Sequence, residues 1–140
     1  MRLSRRLAPL VKAFHERGIQ VSLFVDPVPA QLAAAEALGA RIVELHTGRY
    51  ADARTPEAAA RELTQLQRAA RRTRGLGLAV AAGHGLDYEN VRAVAAIPEI
   101  EELNIGFSII TRALSVGLES AVREMAARLL LEEAHAIPSA

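Results

Sequence analysis

Two hydrophobic rhythms alternate along this chain. Leu7, Leu10, Val11 and Phe14 recur at i, i+3, i+4 and i+7 and Gly18 follows, the pattern of an amphipathic helix closed by a glycine cap. Ile19 to Val25 is then short, rich in β-branched residues and almost wholly apolar, as a strand covered on both faces is, and Asp26-Pro27 ends it. The alternation returns three times. Helices are predicted from about Pro29 to Leu38, Pro56 to Arg74 and Tyr88 to Ala96, followed by strands at Arg41–Leu45, Leu76–Ala81 and Glu102–Ile105. The Pro56 helix has the clearest signals: Thr55 as N-cap, Pro56 in the first turn, and Ala59, Leu63, Leu66 and Ala70 on one face. Asp87 reads as the cap of the next helix. A last helix carries Leu118, Ala121, Val122, Met125 and Leu129 on one stripe, before a tail at about 134–140 that is expected to fray.

Strands that each follow a helix predict an α/β fold with a parallel sheet, in a single domain spanning residues 1–140. Two architectures fit: a small doubly wound sheet, or half of an eight-stranded barrel that in full takes about 250 residues. In both, chemistry belongs in the loops after the carboxyl ends of the strands.

Composition narrows the function. Of the 140 residues, 51% are hydrophobic, enough for a real core. Seventeen Lys and Arg against sixteen Asp and Glu leave a net charge of +1, which provides no global field for nucleic acid or an anionic membrane, so small partners are expected. The absence of cysteine removes disulfides, thiolate metal sites and cysteine nucleophiles, and fits a cytoplasmic address. The segment behind the basic start, Leu7 to Gly18, is broken by Lys12, His15, Glu16 and Arg17 and has no signal-peptide core. No apolar run approaches the roughly 20 residues of a membrane helix.

Three strand-end loops carry candidate chemistry. After the second strand, alternation puts Glu44 and His46 on the face of Ile42, where the pair either moves protons or serves as an ion pair at the sheet end. After the third, His84 stands between Gly83 and Gly85 before a capped helix; it is expected to continue the Val80 and Ala82 face and so to point where Glu44 points. The alternative is a glycine turn with an exposed histidine. After the fourth, Asn104-Ile105-Gly106-Phe107 has the form of a phosphate cradle, a form that strand-glycine-helix turns also take for geometric reasons alone. Arg68, Arg71, Arg72 and Arg74 read as a solvated helix end, and His15 and His135 as surface residues. No metal-ligand spacing, Walker loop or dinucleotide fingerprint occurs.

Taken together, Gly18-Ile19-Gln20-Val21-Ser22-Leu23-Phe24-Val25-Asp26, Glu44-Leu45-His46-Thr47-Gly48, Ala82-Gly83-His84-Gly85-Leu86, Ala96-Ile97-Pro98-Glu99-Ile100 and Glu102-Leu103-Asn104-Ile105-Gly106 closely resemble the pyridoxine 5′-phosphate synthase family, in the same order and spacing. The resemblance implies a (β/α)8 TIM barrel of which this chain is the carboxy-terminal half-barrel. It implies a transferase that condenses 3-amino-2-oxopropyl phosphate with 1-deoxy-D-xylulose 5-phosphate to pyridoxine 5′-phosphate, phosphate and water, with no metal or organic cofactor. It also assigns roles: His84 the proton donor, Glu44 the transition-state stabiliser, Gly85 a substrate contact, Gly106 and position 107 the phosphate site, with His46 and Thr47 in support. Position 107 is usually histidine in the family and is Phe107 here. On this resemblance the chain starts at the helix before the fifth strand, so strands one to four are expected to lie outside it. An open half-barrel with two bare strand edges and an apolar inner layer is expected to self-associate or to take a complementary amino-terminal half. The competing reading is a non-catalytic, phosphate-binding remnant.

Overall fold

The computed structural model describes residues 2–130; the tail at about 134–140, expected to fray, and His135 lie outside them. Helix α1 (Arg2–His15) leads into strand β1 (Ser22–Val25), and the turn between them passes through Gly18 at φ +73°, the left-handed backbone that glycine adopts without penalty. Helix α2 (Pro29–Ala37) and strand β2 (Ile42–His46) follow, then a short helix α3 (Gly48–Ala51) that periodicity did not reveal. Helix α4 (Pro56–Gly75) starts as expected, with the Thr55 hydroxyl accepting from the Ala58 N–H at 3.2 Å. Strand β3 (Ala79–Gly83), helix α5 (Val91–Ala95), strand β4 (Glu102–Asn104) and helices α6 (Phe107–Val116) and α7 (Leu118–Leu130) complete the described chain.

Three boundaries differ from the sequence expectation by three residues, the others by two at most. The first strand begins at Ser22 rather than Ile19. The third begins at Ala79, because the Leu76 N–H is still engaged by the last carbonyls of α4, from Arg72 to Arg74. Asp87 caps a turn instead of a helix: its carboxylate accepts from the Glu89 and Asn90 N–H groups at 2.8 and 2.9 Å, and α5 starts only at Val91.

The four strands are parallel and lie in chain order, β1-β2-β3-β4, with β1 and β4 at the edges. A doubly wound sheet reverses its strand order at a switch point; a barrel winds on in one direction. Among the described residues the sheet does only the second, so the fold is half of a TIM barrel.

Register sorts the side chains into two faces. Leu23, Val25, Val43, Leu45, Val80, Ala82 and Leu103 point outward into a core shared with Leu32, Leu66, Ala70, Val91, Val94, Ile97 and Met125. The opposite face carries Ser22, Phe24, Ile42, Glu44, His46, Ala79, Ala81, Gly83, Glu102 and Asn104. This inner face is therefore mainly polar or small, contrary to the expected apolar layer. Apolar exposure lies instead on the flanking helices: Leu10 and Phe14 of α1, Phe107, Ile110 and Leu114 of α6, and Leu118, Val122 and Leu130 of α7. Within the predicted stripes of α1 and α7 only Val11, Ala121 and Met125 are buried.

The arginine run at the end of α4 is partly structural. Arg71 and Arg74 pair with Glu99 and Glu101, tying the end of α4 to the segment that enters β4. Such exposed pairs are worth at most about 1 kcal/mol each. Arg112 and Glu124 pair through two hydrogen bonds of 2.8 and 3.1 Å, which bind α6 to α7 and hold the Glu124 carboxyl below its usual range. His15 is half buried rather than on the surface, with its Nε2 enclosed and without a hydrogen-bond partner among the described residues.

Candidate active site

All three predicted loops meet at the carboxyl end of the sheet. They line one open cavity of about 1070 Å³ whose wall includes Phe24, Glu44, His84 to Tyr88 and Asn104 to Ser108, with Arg112 from the second turn of α6. The position follows from strand polarity: parallel strands deliver all their following loops to the same rim.

Glu44 reaches the cavity along the inner face of β2, as alternation predicted. His84 arrives differently. Val80 and Ala82 sit opposite Val43 and Leu45 on the helix-covered face and are 1% and 0% exposed, so continuing their alternation would bury His84 in the core. The backbone instead turns after β3, with φ +82° at both His84 and Gly85. That left-handed conformation costs a residue with a Cβ roughly 1–3 kcal/mol, and it swings the imidazole over the inner face. There the His84 ring lies 4.7 Å from the His46 ring and 6.2 Å from that of Phe24, centroid to centroid.

The turn is held from three elements. Thr47, fully buried, places its hydroxyl 2.7 Å from the Gly83 carbonyl and 2.6 Å from that of His84, while its N–H donates to Gly83 at 2.9 Å. The Asn90 amide donates to the Gly85 carbonyl, the Tyr50 hydroxyl donates to the Asn90 carbonyl at 2.8 Å, and the Ser108 hydroxyl donates to Leu86 at 2.8 Å. Burial, reinforced by the nearby Asp87 carboxylate, raises the Tyr50 phenol above its ordinary value, so it stays a donor through the neutral range. A strained residue held by this many bonds is a preorganised one. Thr47→Val is expected to lower stability by about 1–3 kcal/mol, because the His84 carbonyl loses its donor. Urea midpoints check this, with Thr47→Ser retaining most of the lost stability; equal midpoints for Thr47→Val and the parent would refute it.

The two loop glycines on either side of these rings are close-approach positions. A Cβ at Gly48 would stand 2.8 Å from His46 Cε1 and 3.2 Å from His84 Cδ2. At Gly83 it would stand 2.6 Å from Glu44 Oε1 and 2.9 Å from the Asn104 carbonyl oxygen. At the fourth loop, Gly106 caps α6 with no side-chain hydrogen bond to the first-turn N–H groups, and Phe107 is 88% exposed at the cavity rim.

The expected Glu44–His46 ion pair does not form. His46 is paired with Asp26, whose Oδ1 lies 3.6 Å from His46 Nδ1, and Phe24 packs edge-on against the imidazole at 5.0 Å. Asp26 and Phe24 are site residues to which sequence reasoning gave no role. The signal was present for both: Phe24 shares the inner face with Glu44, and Asp26 is the first residue past β1, the position where strand-end chemistry is found. Among the described residues no three of His, Cys, Asp and Glu converge as a metal site, and no helix is long and apolar enough to cross a membrane.

A parallel half-barrel with a glutamate, a histidine on a strained turn and an open helix amino terminus at its carboxyl rim has the layout of a TIM-barrel enzyme site. The family described as Pyridoxal phosphate biosynthesis protein PdxJ matches residues 1–130, and the chain belongs to that family. Curated relatives named pyridoxine 5′-phosphate synthase include one from Magnetococcus marinus, 53% identical over 133 residues, covering 95% of this chain and 54% of the relative. Another, from Synechococcus sp., is 57% identical over 120 residues, covering 86% of this chain and 50% of the relative. The chain thus spans about half the length of the curated relatives it matches. Among solved structures, that of the Amycolatopsis orientalis BexX/CysO complex superposes with a TM-score of 0.58 over 98% of this chain and 54% of that one; at 14% identity it supports the fold alone.

Proposed function

We propose that this chain carries the carboxy-terminal half of a pyridoxine 5′-phosphate synthase active site. In this reading the completed barrel is a transferase, acting in the cytoplasm, that condenses 3-amino-2-oxopropyl phosphate with 1-deoxy-D-xylulose 5-phosphate. The observation that carries it is the convergence of Glu44, His84 and the Gly106 turn on one cavity, in a chain of this family. His84 donates a proton to a leaving oxygen; its exposed ring on a fixed turn suits a group that must reach substrate without moving its own backbone. Glu44, half buried on the inner face beside Gly83, offsets positive charge as it develops on a nitrogen-containing intermediate. Gly85 lets the backbone approach the substrate, and the free N–H groups of Phe107 and its neighbours receive a phosphate. His46 and Thr47 act from behind, through contacts with His84.

The partner in this reading is a complementary amino-terminal half-barrel. The bare edges of β1 and β4, and the uncovered apolar residues of α1, α6 and α7, are the surfaces such a half would cover. The test is a product assay with both substrates, on this chain alone and mixed with the first half of a complete synthase, with size-exclusion mass recorded for each sample. Product in the mixture supports the proposal. A folded 1:1 complex that yields none overturns it and leaves the second reading, a phosphate-binding remnant without turnover. That reading draws on Phe107, which offers the cradle no side-chain donor where the family usually has histidine.

A further inference from the structure

His46 does not line the cavity and is only half buried, yet its neighbours belong to the site. Its Nδ1 edge faces Asp26 Oδ1 at 3.6 Å, Phe24 meets its face at 84°, the His84 ring lies 4.7 Å away, and Gly48 is so close that any Cβ there would strike both imidazoles. Asp26 is itself fixed. Gln31, in the first turn of α2, accepts from the Asp26 N–H at 2.9 Å and donates to Asp26 Oδ2 at 3.1 Å, leaving Oδ1 for the imidazole. His84, at the far end, makes no side-chain hydrogen bond or ion pair among the described residues, and its neighbouring rings are those of His46 and Phe24. The charged and titratable groups around the pair are Asp26 from the end of β1, Glu44 from β2 and Asp87 from the loop after β3.

From this chain of contacts we propose that Gln31, Asp26 and His46 form a positioning relay that orients the His84 ring. His46 is the shelf, Asp26 sets the rotation of the shelf, and Gln31 anchors Asp26 to the helix that follows β1. His46 touches no substrate; it acts through His84. Two features fit this assignment better than a catalytic role. The imidazole is not part of the cavity lining, and its ring is bounded by Phe24 and Gly48 as well as by the Asp26 carboxylate.

The role of His84 in turnover rests on the synthase reading, so the test has one part that does not. In the isolated chain labelled with 13C-histidine, the His84 ring signals should shift and lose their through-space contact with Phe24 in His46→Ala, and should move by a smaller amount in Asp26→Ala. In the mixture with an amino-terminal half, His46→Ala should lower kcat by roughly 10–100-fold with KM within about twofold of the parent, since misplacing a reacting group affects chemistry more than binding. His46→Phe, which restores a ring on the shelf without a titrating group, should recover most of that loss. Unchanged His84 signals in His46→Ala overturn the relay whether or not the mixture turns over. A raised KM at constant kcat, or a phenylalanine variant as impaired as the alanine one, overturns it as well. A parent mixture without product refutes the synthase reading and leaves the ring contacts to decide the relay.

Discussion

His84→Ala should abolish pyridoxine 5′-phosphate formation by the two-half mixture, a loss of about 10²–10⁴-fold in kcat, the range for removing a general acid. The structural basis is the placement of this ring. The turn that carries it is fixed by Thr47, Asn90 and Ser108, and His84 is the imidazole that lines the cavity, the neighbouring His46 lying outside that lining. Folding should be spared. His84 is exposed and sits at φ +82°, where glycine is at ease, so His84→Gly should be as inactive as the alanine variant yet more stable than the parent by about 1 kcal/mol. Parallel kinetic and urea-unfolding measurements separate the two effects. A variant retaining activity within about threefold of the parent would remove His84 from the chemistry.

The second large effect is expected at Gly83. An added Cβ would stand 2.6 Å from Glu44 Oε1, 2.9 Å from the Asn104 oxygen and 3.0 Å from Asn104 Cβ. Glu44 can rotate away. The Asn104 backbone cannot, because Gly83 and Asn104 are paired across β3 and β4. Gly83→Ala should therefore cost about 1–3 kcal/mol of stability, the usual penalty for overfilling a packed position, and displace Glu44 from the cavity. A drop in the urea midpoint together with reduced turnover is the expected pair of results. Gly75→Ala at the end of α4 is the control: nothing lies within 4 Å of the added Cβ and the site is helical. An unchanged midpoint for Gly83→Ala would mean that β4 tolerates displacement and that the close approach has no energetic weight.

Much of this architecture was legible because it depends on local rules. The Thr55-Pro56 start of α4 follows from capping chemistry, and the apolar runs at Val43 and Val80 follow from a sheet covered by helices. Glu44 was placed correctly because a residue inside a well-defined strand has only two faces to choose from. His84 was assigned to the right cavity by a wrong route. Alternation along Val80 and Ala82 leads into the core, and what returns the ring to the inner face is a left-handed backbone at a residue with a Cβ, uncommon outside glycine and invisible to an alternation pattern. The Asp26–His46 pairing was hidden for a related reason: it joins the ends of two adjacent strands 20 residues apart in sequence, where alternation within one strand pointed to Glu44 instead. The polar character of the inner face was also hidden, since Ser22, Glu102 and Asn104 read as strand ends until register aligned them with Glu44.

The order of strands in the sheet has a consequence for how the chain is made. Ser22 pairs with Ile42, Ile42 with Ala79 and Ala81 with Glu102, so each strand docks on the one synthesised just before it. The segments that must close each hold a helix, and the longest, between Ile42 and Ala79, costs less than about 1 kcal/mol more than the others, because closure entropy grows only with the logarithm of length. Assembly can follow translation, one helix-strand unit at a time as each leaves the ribosome.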